Sequence, residues 1–366
     1  MRAAVCRAFG EPLSIEELQL GAPQAGEVEV RIKAAAICHS DILYADGAWG
    51  GDLPAVFGHE AAGIVTAVGA GVAQVRPGQH VAVTLVRSCG RCGCCEQGFY
   101  GSCEGSFALD GRAVLRDGDG NTVHQGLRTA AFAERVVVDA SQVVAIPEAL
   151  PMASAAILSC GVITGFGAVI NTAAIKPGAS VAVIGTGGVG LNAIQGAHLS
   201  GARAVIALDI AQSKLDAALR FGATDAVNVD AAKTDEGEVA AAVKRAAGGR
   251  LVDYVFVTVG AKSAFELAMH LIGNGGVVVL VGMAPLGVTM EFDPLTLANS
   301  SQRILGSKMG SSNIQKDIPN LATLYTQGRL KLDELVTACY PLAEINDAIA
   351  AVKRGDALRN VVVFDG

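Results

Sequence analysis

Cys89, Cys92, Cys95 and Cys103 fall in the spacing CxxCxxCx7C. Thiolates gathered at such short intervals can close a tetrahedral shell around one Zn²⁺ with no corner left for water, and a closed shell holds a loop without doing chemistry. A second group of metal-binding side chains is scattered between positions 38 and 160: Cys38, His59, Glu60 and Cys160. Two thiolates and one imidazole around Zn²⁺ leave a fourth position for water or substrate, which is how a reactive zinc is held. Spacing alone cannot assemble that set, since a lone Cys or His is more often buried packing than a ligand.

A third group lies further along. Gly185, Thr186, Gly187, Gly188, Val189 and Gly190 follow an apolar strand-like run and open a helix-like one. In that setting the glycines let the backbone approach a pyrophosphate, whose charge the helix N-terminus favours. The next strand ends at Asp209, 24 positions after Gly185, where a mononucleotide fold presents a carboxylate to the adenosine ribose hydroxyls. Such a carboxylate repels a 2′-phosphate, so NAD is expected rather than NADP. Lys214 is expected to cover the adenosine.

The elements that must carry these groups change character along the chain. The first part alternates short β-rich runs (27–34, 61–68, 79–85, 131–138) with Gly and Pro turns and predicts a β-rich, partly barrel-like domain. From position 180, buried-looking strands (181–184, 203–208, 225–229, 251–259, 276–281) alternate with helices (188–200, 212–221), the pattern of a doubly wound parallel sheet covered on both faces. A helix at 342–354 precedes an end strand at 360–364, which is expected to return to the first domain and make it discontinuous. The patch 231–247 reads as a solvated loop and helix.

Composition bounds the rest. At 366 residues, two domains are expected. Hydrophobic residues make up 51% and charged ones 17%, a globular α/β balance. The formal charge of −7 without a basic block argues against a nucleic-acid partner. Nine cysteines, most at metal spacing, fit a reducing, cytoplasmic setting better than a disulfide framework. Residues 1–15 lack a signal-peptide core and read as a strand and turn, and the longest apolar run, 277–283, is too short for a membrane span.

Taken in order, the blocks Cys38-His39-Ser40-Asp41, 58–63 around His59 and Glu60, the four-cysteine lobe, 160–165 and Gly185–Gly190 resemble those of the zinc-containing medium-chain alcohol dehydrogenases, over essentially the whole length. The resemblance implies a chaperonin-10-like catalytic domain (1–162 and 307–366, zinc lobe at 88–104) interrupted by an NAD-binding Rossmann domain (163–306). It implies two zinc ions. Cys38, His59 and Cys160 would hold the catalytic ion, with Glu60 near it as a transient ligand and Asp41 orienting His59. Cys89, Cys92, Cys95 and Cys103 would hold the structural one. It also assigns Ser40 to accept the alcohol proton, His39 and Arg359 to the cofactor pyrophosphate, and Thr164 and Val189 to the nicotinamide. The implied reaction is reversible hydride transfer from a primary or secondary alcohol to NAD.

The chain departs from the family in places. Leu43 stands where a relay histidine is often found, so solvent or His39 must finish the proton path. Leu85 replaces a larger aromatic residue and implies room for bulkier alcohols. Residues 104–107 lack the arginine of the glutathione-dependent formaldehyde branch, which leaves S-(hydroxymethyl)glutathione dehydrogenase as the alternative substrate class. A non-catalytic NAD and zinc sensor is the alternative from another class, and it leaves Ser40 and the open zinc corner without a role. The long interval from Cys103 to Cys160 is that of dimeric members, and the 277–281 sheet edge is expected to join a homodimer. Cys6, Cys94 and Cys339 read as free thiols, and His80, His124, His198 and His270 lack a constellation. Trp49 and Phe57 read as channel or core residues.

Overall fold

The computed structural model describes residues 1–230 and 235–365. Contact density divides the chain into two units, Met1–Gly161 together with the chain from Asn313 onward, and Val162–Ser312. The second crossing falls at 312 rather than 306. Residues 307–312 fold back on the helix of their own unit, where Thr172 bonds Ser307 and the Ser312 hydroxyl donates to the Ile163 carbonyl.

In the first unit the long strand Glu27–Ala36 is the hub. Val28, Val30 and Ile32 point into the core while Arg31 faces out, the period-2 alternation that makes this run a strand. It pairs with Glu60–Val68 on one side and Arg359–Val363 on the other, so the last strand completes a sheet begun near the N-terminus. A six-stranded sheet built on Arg2–Cys6 and Thr122–Gln125 covers the same core, which is filled by Leu115, Phe132, Val136, Val138 and Ile345.

The second unit carries a six-stranded parallel sheet in the order Asp225–Asn228, Ala204–Asp209, Ser180–Ile184, Val252–Val257, Ile272–Leu280, Arg303–Gly306. The central strands are buried along their length, as unbroken Val, Ile and Ala runs require. The expectation that 277–281 forms a sheet edge is overturned. Val277–Leu280 pairs with Tyr254–Val257 on one side and Arg303–Gly306 on the other, so the open edge belongs to Arg303–Gly306. That four-residue strand is too short to register as a periodic pattern.

Several elements went unread, among them the helices Lys262–Leu271 and Ile314–Thr326 and one long apolar helix. Met152–Ala173 is a helix long and apolar enough to cross a membrane, with mean hydropathy 1.9, yet 89% of its most apolar stretch is buried inside the protein, as in a core helix. It contains two π-helical segments, Leu158–Val162 and Ala168–Ala173. Of the patch 231–247, residues 235–247 include the helix Glu236–Ala246 capped by Asp235, and 231–234 lie outside the described residues.

Candidate active site

Cys38 is the N-cap of the short helix His39–Ala45. Asp41, in its first turn, ties that helix to the next strand. Its Oδ2 accepts from the Cys38 amide (3.2 Å), and its Oδ1 accepts from the Gly58 amide (2.9 Å) and contacts Nδ1 of His59 (2.8 Å). Gly58 is required here. Its φ is +91°, and a Cβ would lie 2.7 Å from the Phe132 backbone nitrogen. The chain then enters the strand Glu60–Val68, so His59 and Glu60 leave one turn in succession. Cys160 comes from the first π segment, where the Ser159 hydroxyl donates to the Ala61 carbonyl (2.9 Å) and fixes the approach.

Together these elements gather the donor atoms of Cys38, His59, Glu60 and Cys160 within 4.8 Å of one another, all buried. The His59 Nε2 to Cys160 Sγ distance is 3.3 Å, near the roughly 3.6 Å separating N and S ligands of a tetrahedral zinc. Glu60 has one carboxylate oxygen paired with Arg359 and accepting from the Gly161 amide, while its Oε1 is buried without a partner. An orphaned buried carboxylate oxygen beside two thiols and an imidazole fits a cation. The electrostatics agree. The Cys160 hydrogen bond, against the opposing effect of burial, draws Cys38 well below the thiol range. Burial opposes charge on His59, but Asp41 and Cys38 outweigh it and raise its pKa well above the usual range. Burial pushes Glu60 up to about 7 although Arg359 opposes it.

The four-cysteine lobe has a looser setting. Cys92 and Cys103 sulfurs lie 3.9 Å apart, close to the ~3.8 Å edge of a ZnS₄ tetrahedron and far beyond a disulfide. The amides of Cys89 and Gly105 both donate to Cys103 Sγ at 3.3 Å. Amides of Cys95 and then Glu104 pull Cys92 down to about 6, while burial pushes Cys95 up to about 12. Cys94 stands outside the four-sulfur set. Arg87, 3% exposed, anchors the following segment. It bonds Gln142 and Asp110, and its guanidinium lies 5.0 Å from the Phe107 ring centre.

In the second unit, Gly185 has φ +87° and Gly190 packs so tightly that a Cβ would sit 1.9 Å from the Gly185 carbonyl oxygen. Gly187, the N-cap of the helix Gly188–Leu199, has nothing within 4 Å of where its Cβ would be. Open space before a helix N-terminus is a cradle for a pyrophosphate, so this loop fits a dinucleotide. Asp209 is held by three donors: the Thr186 amide (2.7 Å) and hydroxyl (3.1 Å) on Oδ2 and the Ala211 amide (3.0 Å) on Oδ1. Lys214 is on the helix Gln212–Arg220 that starts just beyond. Thr164 is buried, with its hydroxyl 3.7 Å from Met309 Sδ, and Val189 lies in the first turn after Gly187.

Arg359 is 6% exposed and paired with Glu60, and His39 is exposed at the start of its helix, with Ser40 beside it half-buried. Phe57 is a core residue, stacked on Tyr44, and Trp49 meets Tyr44 edge-on at 5.1 Å. Sequence reading missed the Arg359–Glu60 pair, for which no local signal exists. It also missed Thr258, whose hydroxyl bonds the Gly185 carbonyl at 2.6 Å.

Comparison with known proteins agrees with this geometry. Residues 24–148 match the family model of the alcohol dehydrogenase GroES-like domain, and 188–327 that of the zinc-binding dehydrogenases. The chain is 36% identical to putative alcohol dehydrogenase D of Mycobacterium tuberculosis, covering 99% of each protein. Among solved structures, it is similar to an alcohol dehydrogenase zinc-binding domain protein from Burkholderia ambifaria (TM-score 0.93, 36% identity, 100% and 99% covered). It is also similar to benzyl alcohol dehydrogenase from Acinetobacter calcoaceticus (TM-score 0.91, 31% identity, 100% and 99% covered). With both domains, the buried donor set and whole-length similarity in agreement, the chain belongs to the zinc-containing medium-chain alcohol dehydrogenases and is a zinc-dependent oxidoreductase of alcohols.

Proposed function

We propose that this protein uses NAD, holds two zinc ions per chain, one catalytic and one structural, and interconverts primary or secondary alcohols with aldehydes or ketones. The observation that carries the reading is the buried convergence of Cys38, His59, Glu60 and Cys160. Zinc on those residues supplies a Lewis acid that lowers the pKa of an alcohol, and the nicotinamide supplies the hydride acceptor. The protein's own residues do the rest. Asp41 fixes the tautomer and direction of His59 through Nδ1, leaving Nε2 for the metal. Ser40, two residues from Cys38, takes the alcohol proton. Leu43 cannot relay that proton, so it leaves through solvent or the exposed His39. Glu60 pairs with Arg359 through one oxygen and keeps the other free of hydrogen-bond partners beside the donor set.

Asp209 supports NAD over NADP, because its carboxylate is fixed by three donors at the end of the strand Ala204–Asp209, where a 2′-phosphate would be repelled. A homodimer is supported by the open edge of Arg303–Gly306 and by the exposed apolar side chains Met283, Leu286, Phe292 and Leu295 in the same unit. Cysteines free of disulfides among the described residues support a cytoplasmic location. The test follows NADH formation with aliphatic, secondary and benzylic alcohols, without glutathione, alongside metal analysis. Turnover with NAD, at least tenfold weaker with NADP, and two zinc ions per chain are expected. Metal and nucleotide binding without turnover on any alcohol would overturn the reading.

A further inference from the structure

Met309, Gly310 and Ser311 are three successive residues in the left-handed region, with φ of 51°, 65° and 49°. Two of them carry side chains that disfavour it, so something else must hold the turn. The holders are on the second π segment, Ala168–Ala173. The Thr172 hydroxyl sits between the hydroxyls of Ser307 and Ser311, 2.8 Å from each, and the Asn171 amide donates to the Gly310 carbonyl at 3.2 Å. On the inner side the fit leaves no slack. A Cβ on Gly310 would meet the Ile163 carbonyl at 2.0 Å, and one on Gly167 would meet the Gly310 carbonyl at 2.6 Å. Thr164 reaches Met309 across the same contact.

The turn's place in the fold gives it a task. The parallel sheet reverses order at Ser180–Ile184, and a dinucleotide lies across the carboxyl ends of the strands with one half on each side of that point. Asp209, on the Ala204–Asp209 side, claims the adenosine half. The other half must run past the ends of Val252–Val257, Ile272–Leu280 and Arg303–Gly306, and the strained turn begins three residues beyond Gly306. A π segment has already placed one functional group, Cys160, and such segments cluster at functional sites.

We infer that Thr172, seconded by Asn171, is a positioning residue that clamps the left-handed turn Met309–Ser311 so that it presents a fixed surface to the nicotinamide half of the cofactor. The inference rests on the NAD reading, so its test separates the two. Binding of NADH and of ADP-ribose, which lacks the nicotinamide, is measured on the zinc-loaded protein by calorimetry, and KM for NAD is measured in parallel. Thr172→Val removes the central hydroxyl at nearly constant shape. It should weaken NADH by about fivefold, the worth of one ordinary hydrogen bond, and leave ADP-ribose within about twofold. KM for NAD should rise more than kcat falls, and Thr172→Ser, which keeps the hydroxyl, should bind NADH as the unmodified protein does. If Thr172→Val does not fold, Ser311→Gly, which tolerates positive φ and removes a partner hydroxyl, should give the same split. Equal weakening of both ligands, or no weakening of either, overturns the clamp. A wild-type protein that binds neither ligand overturns the NAD reading itself.

Discussion

The lobe around Cys89 and the cluster around Cys38 hold donor sets of similar chemistry and are built in opposite ways. The lobe draws its four sulfurs from fifteen consecutive positions, 89–103, and Cys89, Cys92 and Cys103 remain partly exposed. The cluster draws its members from a helix N-cap, a strand start and a π segment, and buries all of them. Four thiols saturate a tetrahedral ion, so the lobe's only output is shape. Two thiols and an imidazole leave a corner open, and burial removes bulk water from it, which raises the Glu60 carboxyl. On the proposed two-zinc reading, the locally encoded site stabilises and the globally assembled one reacts.

Three substitutions press on that contrast. Cys160→Ser should lose about 10³-fold or more in kcat/KM, the several kcal/mol of a Lewis acid, while the thermal midpoint moves little. Full activity in this variant would break the assignment. Cys95→Ser should do the reverse. Activity per folded molecule is expected to stay within about twofold, while a loss of ~3 kcal/mol lowers Tm by roughly 6–12 °C. Each of these variants should retain one zinc by metal analysis, and a Cys95→Ser protein that is stable but inactive would erase the division of labour. Asp41→Asn tests the smaller effect of orientation. It should weaken zinc retention in the buried cluster about 10–100-fold, read by competition with a chelator, and leave the lobe's metal in place.

Much of the molecule was legible in advance because its signals are local. The spacing of Cys89, Cys92, Cys95 and Cys103 needs no fold to be read, and neither do the continuous apolar strands of the second unit nor the GxGxxG turn between strand and helix. The edge strand Arg303–Gly306 and the core helix Met152–Ala173 escaped for different reasons. The strand is too short to show a period, and the helix is apolar on every face and so shows none. Thr258 bonds the Gly185 carbonyl from a position whose residue type is ordinary. The Arg359–Glu60 pair joins the last strand to the second of the family blocks, 58–63, a separation at which sequence carries no physical signal.

By itself the sequence determined which atoms were available and which elements would carry them: thiols, one imidazole, a strand-ending carboxylate, a glycine turn. Periodicity and spacing act over a few residues, and short-range sterics suffice to read them. Only the tertiary structure decided that Cys38, His59, Glu60 and Cys160 face one another, that Arg359 meets Glu60, and that Thr172 restrains the turn at Met309–Ser311. Those distances follow from how whole sheets and helices close around a core, where burial removes the competing water and makes each pairing count.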